Sequence, residues 1–149
     1  MQSAGKYLRY SLLSVAFGLV AIQAIPYGRS HVNPPVVREP AWNNAETRAL
    51  AKRACFDCHS NETVWDAWYT KVAPASWLVQ YDVDQGRKEL NFSEWGGGTR
   101  EGERPDKIGK EVLDGEMPPL QYRIAHPEAR LSEAEKRRLA DGLAATARR

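Results

Sequence analysis

Cys55-Phe56-Asp57-Cys58-His59 is the stretch on which the reading of this chain turns. Two thiols three residues apart can be offered to one edge of a flat macrocycle by a single turn of chain. The adjacent imidazole then falls beneath the centre of the ring. This is the attachment pattern of c-type haem. It makes Cys55 and Cys58 the expected thioether anchors and His59 the expected proximal iron ligand. Other uses of a cysteine pair compete with it. A thioredoxin-like redox pair wants a preceding strand and a βαβ context, whereas the upstream residues read as helix. A structural zinc site wants four ligands, and His31 and His126 lie far from any finger spacing. A plain disulfide stays conceivable in an oxidising compartment.

Upstream, Asn43-x-x-Glu46 reads as a capping box that opens a helix running to about Ala54 and into the cysteine turn. Before it, Pro26, Gly28, Asn33, Pro34, Pro35 and Pro40 exclude a helix. Residues 28–43 are expected to form a Pro-rich tether, either a spacer or a strap over the domain. Residues 1–27 read as an N-terminal anchor. Residues 10–25 carry no charge, Lys6 and Arg9 precede them, and Tyr7, Leu8, Pro26 and Tyr27 extend the run into an interface. An uncleaved transmembrane helix is expected. A cleaved signal ending at Ala24 is the alternative, although Ile22 then occupies a position that wants a small residue.

Downstream, Val64, Trp65, Trp68, Tyr69, Val72, Pro74 and Trp77 form an aromatic run. Such density would wall a haem face, while for any single ring ordinary core packing is the expected reading. Ser76 is expected to cap a helix from Trp77 to about Leu90, with Leu78 and Tyr81 inward. Gly96-Gly97-Gly98 is a loop and, lacking a following Gly-Lys-Ser/Thr, no phosphate cradle. Ile108, Val112 and Leu113 share an expected helix face, which Gly115 ends. Met117 follows within Gly115-Glu116-Met117-Pro118-Pro119, and apart from Met1 it is the sole methionine. Two prolines stiffen this loop, as a weak thioether ligand requires. Met117 is therefore the expected sixth iron ligand. His126 and then His31 are rivals, and gap-filling in a core is the bland reading of the methionine. Ser132-Glu133-Ala134-Glu135 is a capping box opening a C-terminal helix, with Leu139 and Leu143 one turn apart.

With 149 residues and a hydrophobic fraction of 42%, the chain can bury the core of one modest domain. Of its 21 basic residues, Lys6 and Arg9 belong to the anchor, which leaves 19 against 19 acidic ones. Such a balance argues against a nucleic-acid partner.

The expected fold is all-α: a small helical domain over 44–149 around one haem, preceded by a transmembrane helix. The order of elements resembles a class I cytochrome c, in which first and last helices cross. A fuller resemblance, from about Ile25 to Leu143, is to the bacterial haem-binding domain family. It rests on the stretches Cys-Phe-Asp-Cys-His-Ser-Asn-Glu-Thr, Ala-Pro-Ala-Ser-Trp-Leu, Asp-Val-Asp-Gln-Gly-Arg, Leu-Asn-Phe-Ser-Glu-Trp, Gly-Glu-Met-Pro-Pro and His-Pro-Glu-Ala-Arg-Leu-Ser.

The resemblance implies one covalent haem c on Cys55 and Cys58, with iron held by His59 and Met117. It also implies a single-pass inner-membrane protein with its haem domain in the periplasm. Expected partners are envelope redox proteins, as electron donor and acceptor, and the haem maturation machinery. Electron transfer rather than catalysis is the expected role. A haem-based gas or redox sensor, or a minor peroxidase, would require Met117 to leave the iron. An accessory subunit important for assembly is a third possibility.

Overall fold

The computed structural model describes the backbone of residues 2–149 and side chains from residue 5 onward. Seven α-helices follow one another among the described residues: α1 (Gln2–Ala21), α2 (Ala45–Ala54), α3 (Phe56–His59), α4 (Ala75–Glu89), α5 (Lys110–Leu113), α6 (Leu120–Ala125) and α7 (Glu133–Thr146). Short 3-10 turns lie between them, and an isolated Arg38–Glu94 bridge stands in place of any strand. The expected all-α class is observed.

The chain forms two compact units. One comprises the chain up to Val32 together with Trp65–Tyr81, and the other comprises Asn33–Val64 with Asp82–Arg149. Side-chain bonds tie together each unit. In the first unit the Gln23 amide meets both backbone groups of Ala73, donating to its oxygen at 2.9 Å and accepting from its nitrogen at 3.0 Å. The His31 ring stacks on Trp65 with centroids 4.7 Å apart. In the second unit Asn33 donates to the Thr63 carbonyl at 2.9 Å. Glu39 takes a two-pronged ion pair from Arg48 at 2.7 and 2.8 Å.

α1 and the 3-10 turn after it give a 20-residue apolar span, Gly5–Ala24, long and apolar enough to cross a membrane. At 1.5 Å per residue it covers about 30 Å, the thickness of a bilayer's hydrocarbon core. Its large apolar side chains, Leu12, Phe17 and Val20 among them, are exposed.

The core of the helical unit is built on α2, α7 and residues 92–95. Phe92 is central: Phe56, Trp42 and Trp95 lie 5.5, 5.1 and 6.3 Å from it by ring centroid. α7 turns Leu139, Ala140, Leu143 and Thr146 inward, the spacing of one helical face. It packs closely on α2, since a Cβ on Gly142 would meet Thr47 Oγ1 at 2.1 Å. The Ser132–Glu135 capping box is formed as expected.

Local readings needed correction elsewhere. The cap of α2 is Asn44, whose side chain accepts from the Thr47 amide at 2.8 Å. Asn43 uses its own amide on Thr146 Oγ1 instead. α4 begins at Ala75, so Ser76 lies within it and is buried. Leu78 and Tyr81 face outward. Leu78 stands two residues, about 200° of helix, from the buried Ser76, and Tyr81 stands two residues from the buried Val83. Leu113 is likewise exposed, one step beyond the buried pair Ile108 and Val112.

Residues 33–43 lie against the helical unit as a strap. Val37 and Arg38 donate backbone bonds to the Ser93 carbonyl, and Trp95 donates to that of Arg38. Beneath it, buried Asn61 accepts from Asn91 at 3.0 Å and donates to Glu94 and to the Pro35 carbonyl. The glycine loop is occupied by its own carboxylate. Fully buried Glu103 accepts from the amides of Gly96 and Gly98 and pairs with Arg100 at 3.0 Å.

Candidate functional site

α2 ends at Ala54, and the chain turns at Cys55 into the single turn of α3. The Cys58 and His59 amides both bond the Cys55 carbonyl, at 3.2 and 2.8 Å. That tight turn presents Cys55, Cys58 and His59 to one cavity of about 400 Å³ in the helical unit, within the roughly 300–1,000 Å³ of ligand clefts. Leu90, Phe92, Ile108, Val112 and Leu143 supply apolar walls, and Met117 with Pro118 and Pro119 closes another part. The ionisable rim is mainly acidic, with Asp82, Glu89, Glu101 and Glu111 against Lys107.

His59 is held by the end of α4. Its Nδ1 lies 2.9 Å from the Gly86 carbonyl oxygen and 3.1 Å from that of Leu90. Carbonyls only accept, so Nδ1 carries the proton and Nε2 keeps its lone pair. Burial pushes the imidazole below its ordinary pKa, outweighing the two carbonyl bonds. A neutral ring with a bare Nε2 and its other nitrogen anchored is the state a metal-binding histidine needs.

Cys55 and Cys58 are free thiols. Burial pushes each up to about 12, and for Cys58 the nearby Asp82 and Asp57 add to the effect. Among the described residues no group of three His, Cys, Asp or Glu side chains forms a metal site of its own.

Four residues singled out from the sequence, Cys55, Cys58, His59 and Met117, thus line the same cavity. Met117 is 36% exposed, so it stands at the edge. His126 lies outside the lining, stacked on Tyr122 at 4.2 Å and bonded to Glu128 at 3.0 Å. His31 belongs to the other unit, its Nε2 2.8 Å from the Thr70 oxygen. No ring of the aromatic run lines the cavity. Trp65, Trp68, Tyr69 and Trp77 fall in the N-terminal unit, and the ring that lines the cavity beside Phe92 is Tyr122. Sequence reasoning missed Tyr122 because no periodicity or spacing links it to the cysteine turn.

Gly86 and Arg87 were legible only as part of the Asp-Val-Asp-Gln-Gly-Arg stretch. Their roles are now physical. A side chain at Gly86 would strike the Cys58 carbonyl. Arg87 donates to the Ser60 carbonyl at 2.8 Å and to Thr63 Oγ1 at 3.0 Å, fastening α4 to the exit of the cysteine turn.

The donor set fits an iron porphyrin. Apolar walls suit a flat hydrophobic ring, while imidazole nitrogen and thioether sulfur are both iron donors. No curated protein and no solved structure matches the chain. The haem-binding domain family, by contrast, matches residues 17–145, which include the end of the apolar N-terminal span, the strap and every residue of the cavity. The chain belongs to the haem-binding domain family.

Proposed function

We propose that this protein is a membrane-tethered, monohaem c-type electron carrier of the bacterial cell envelope. The supporting observation is the convergence of two neutral thiols, an oriented imidazole and a thioether on one apolar cavity. In this reading each thiol adds across one vinyl group. Sγ bonds to one carbon and the hydrogen goes to the other, so no oxidant is consumed. His59 Nε2 and the Met117 sulfur would hold the iron. Bound haem iron supplies a one-electron couple, and thioether ligation raises its potential. Leu90, Ile108 and Val112 keep water from the ring.

The Gly5–Ala24 helix anchors the protein in the inner membrane, with the haem domain on the periplasmic side. Tethering raises the effective concentration of the carrier near membrane-bound donors and acceptors. Its partners are envelope redox proteins and, during biogenesis, the haem maturation machinery. The exposure of Met117 favours one rival, a haem sensor or minor peroxidase in which the methionine leaves the iron.

Co-expression with a haem c maturation system tests the reading. The parent should retain haem on a denaturing gel, and a Cys55→Ala, Cys58→Ala variant should lose it. A reduced low-spin spectrum unchanged by carbon monoxide supports the carrier. A high-spin or gas-binding spectrum supports the rival, and a colourless protein refutes both.

A further inference from the structure

α6 carries the chain away from Met117, yet none of its residues is buried. Leu120 and Ile124 are exposed. Apolar burial therefore does not hold this segment. Polar ties do: Tyr122 OH donates to Asp57 Oδ2 at 2.7 Å, and the Gln121 side chain bonds Asp82.

Asp57 lies between the two cysteines and is itself immobilised. Its other carboxylate oxygen accepts from the Val64 amide at 3.0 Å, and its carbonyl accepts from Thr63 Oγ1 at 2.6 Å. The Tyr122 ring is also stacked on the His126 ring. Only Pro118 and Pro119 separate Met117 from α6, and their fixed φ leaves little slack. A shift of the Met117 backbone therefore carries α6 with it, and a shift of α6 strains the Tyr122–Asp57 bond.

We infer that Tyr122 is a positioning residue whose hydrogen bond to Asp57 latches the Met117 segment to the Cys55–His59 turn and sets how readily Met117 is displaced from iron. The inference rests on Met117 being the sixth ligand. A phenol donating to a carboxylate makes a charge-assisted bond. Losing it leaves Asp57 Oδ2 without that donor and shifts a binding equilibrium by about tenfold or more.

The test is an imidazole titration of the full-length, haem-loaded protein in detergent, read by loss of the sulfur-to-iron absorption band or, in Met117→Ala backgrounds, by the Soret shift. Tyr122→Phe should lower the half-saturating imidazole concentration about tenfold or more. In a Met117→Ala background the same change should move it by no more than about twofold. Asp57→Ala should reproduce the Tyr122→Phe shift, and the double variant should go no further. An unchanged titration for Tyr122→Phe or for Asp57→Ala overturns the latch and leaves the ligand assignment standing. Equal shifts with and without Met117 also overturn it, because Tyr122 then controls access rather than the methionine. If Met117→Ala binds imidazole no better than the parent, the ligand assignment fails and the latch fails with it.

Discussion

Gly86 approaches Cys58 so closely that a Cβ on it would lie 2.4 Å from the Cys58 carbonyl oxygen. This contact brings the end of α4 against the cysteine turn. It is also what lets the Gly86 carbonyl reach His59 Nδ1. Packing and ligand orientation therefore depend on the same missing side chain.

Gly86→Ala should destabilise the protein by about 1–3 kcal/mol, the usual cost of overpacking. The neighbour it meets is backbone and cannot swing aside. A thermal melt checks the stability. Haem retained per protein on a denaturing gel should fall as well, because His59 and Cys58 shift together.

Met117→Ala should convert a closed site into an open one. The reduced protein should then bind carbon monoxide, and the potential should fall with the loss of the thioether. Absorption spectra and a redox titration measure the two effects. If neither changes, the sixth ligand is another group.

Glu103→Ala should cost about 3 kcal/mol. Its carboxylate is fully buried and gathers Arg100 and the amides of Gly96 and Gly98. Removing it leaves those donors facing an apolar side chain. Denaturant midpoints for Glu103→Ala and the milder Glu103→Gln measure the loss.

Acid stability should depend on Glu135. The Ser132 amide, Arg53 and Ser132 Oγ hold its carboxyl at about 2, down from the ordinary 4.5. A depressed folded pKa contributes stability above the unfolded value. That contribution is lost as pH falls from about 4.5 through about 2. Glu135→Gln keeps a side chain able to complete the capping box but removes the titration. Its melting temperature should fall less steeply than the parent's across this window. Parallel curves would remove Glu135 from the acid transition.

Much of the site was legible in the sequence because its components are local. The cysteine turn compresses three of the lining residues into five positions, and Met117 stood out as the one methionine past the initiator. The Ser132 capping box and the Leu139–Leu143 pair were readable for the same reason: their contacts span four residues or fewer. The expectations that failed were helix starts misplaced by a residue or two, at Asn43 and Ser76, and the choice of which side of a helix is inward. Leu78, Tyr81 and Leu113 are apolar but exposed. In α4 the buried stripe is set by Ser76, Val83 and Gly86, two of which carry little or no apolar side chain.

Taken alone, the amino-acid order determined the helical class, the apolar N-terminal span and the identity of the thiols and imidazole at the cavity. Each follows from hydrogen bonds or hydropathy within a short window. Only the tertiary structure decided that Gly86 orients His59, that Tyr122 reaches Asp57 across 65 positions, and that Trp65–Tyr81 joins the N-terminal unit. Those outcomes depend on which distant backbones come close enough to bond, and that is settled by packing the whole chain.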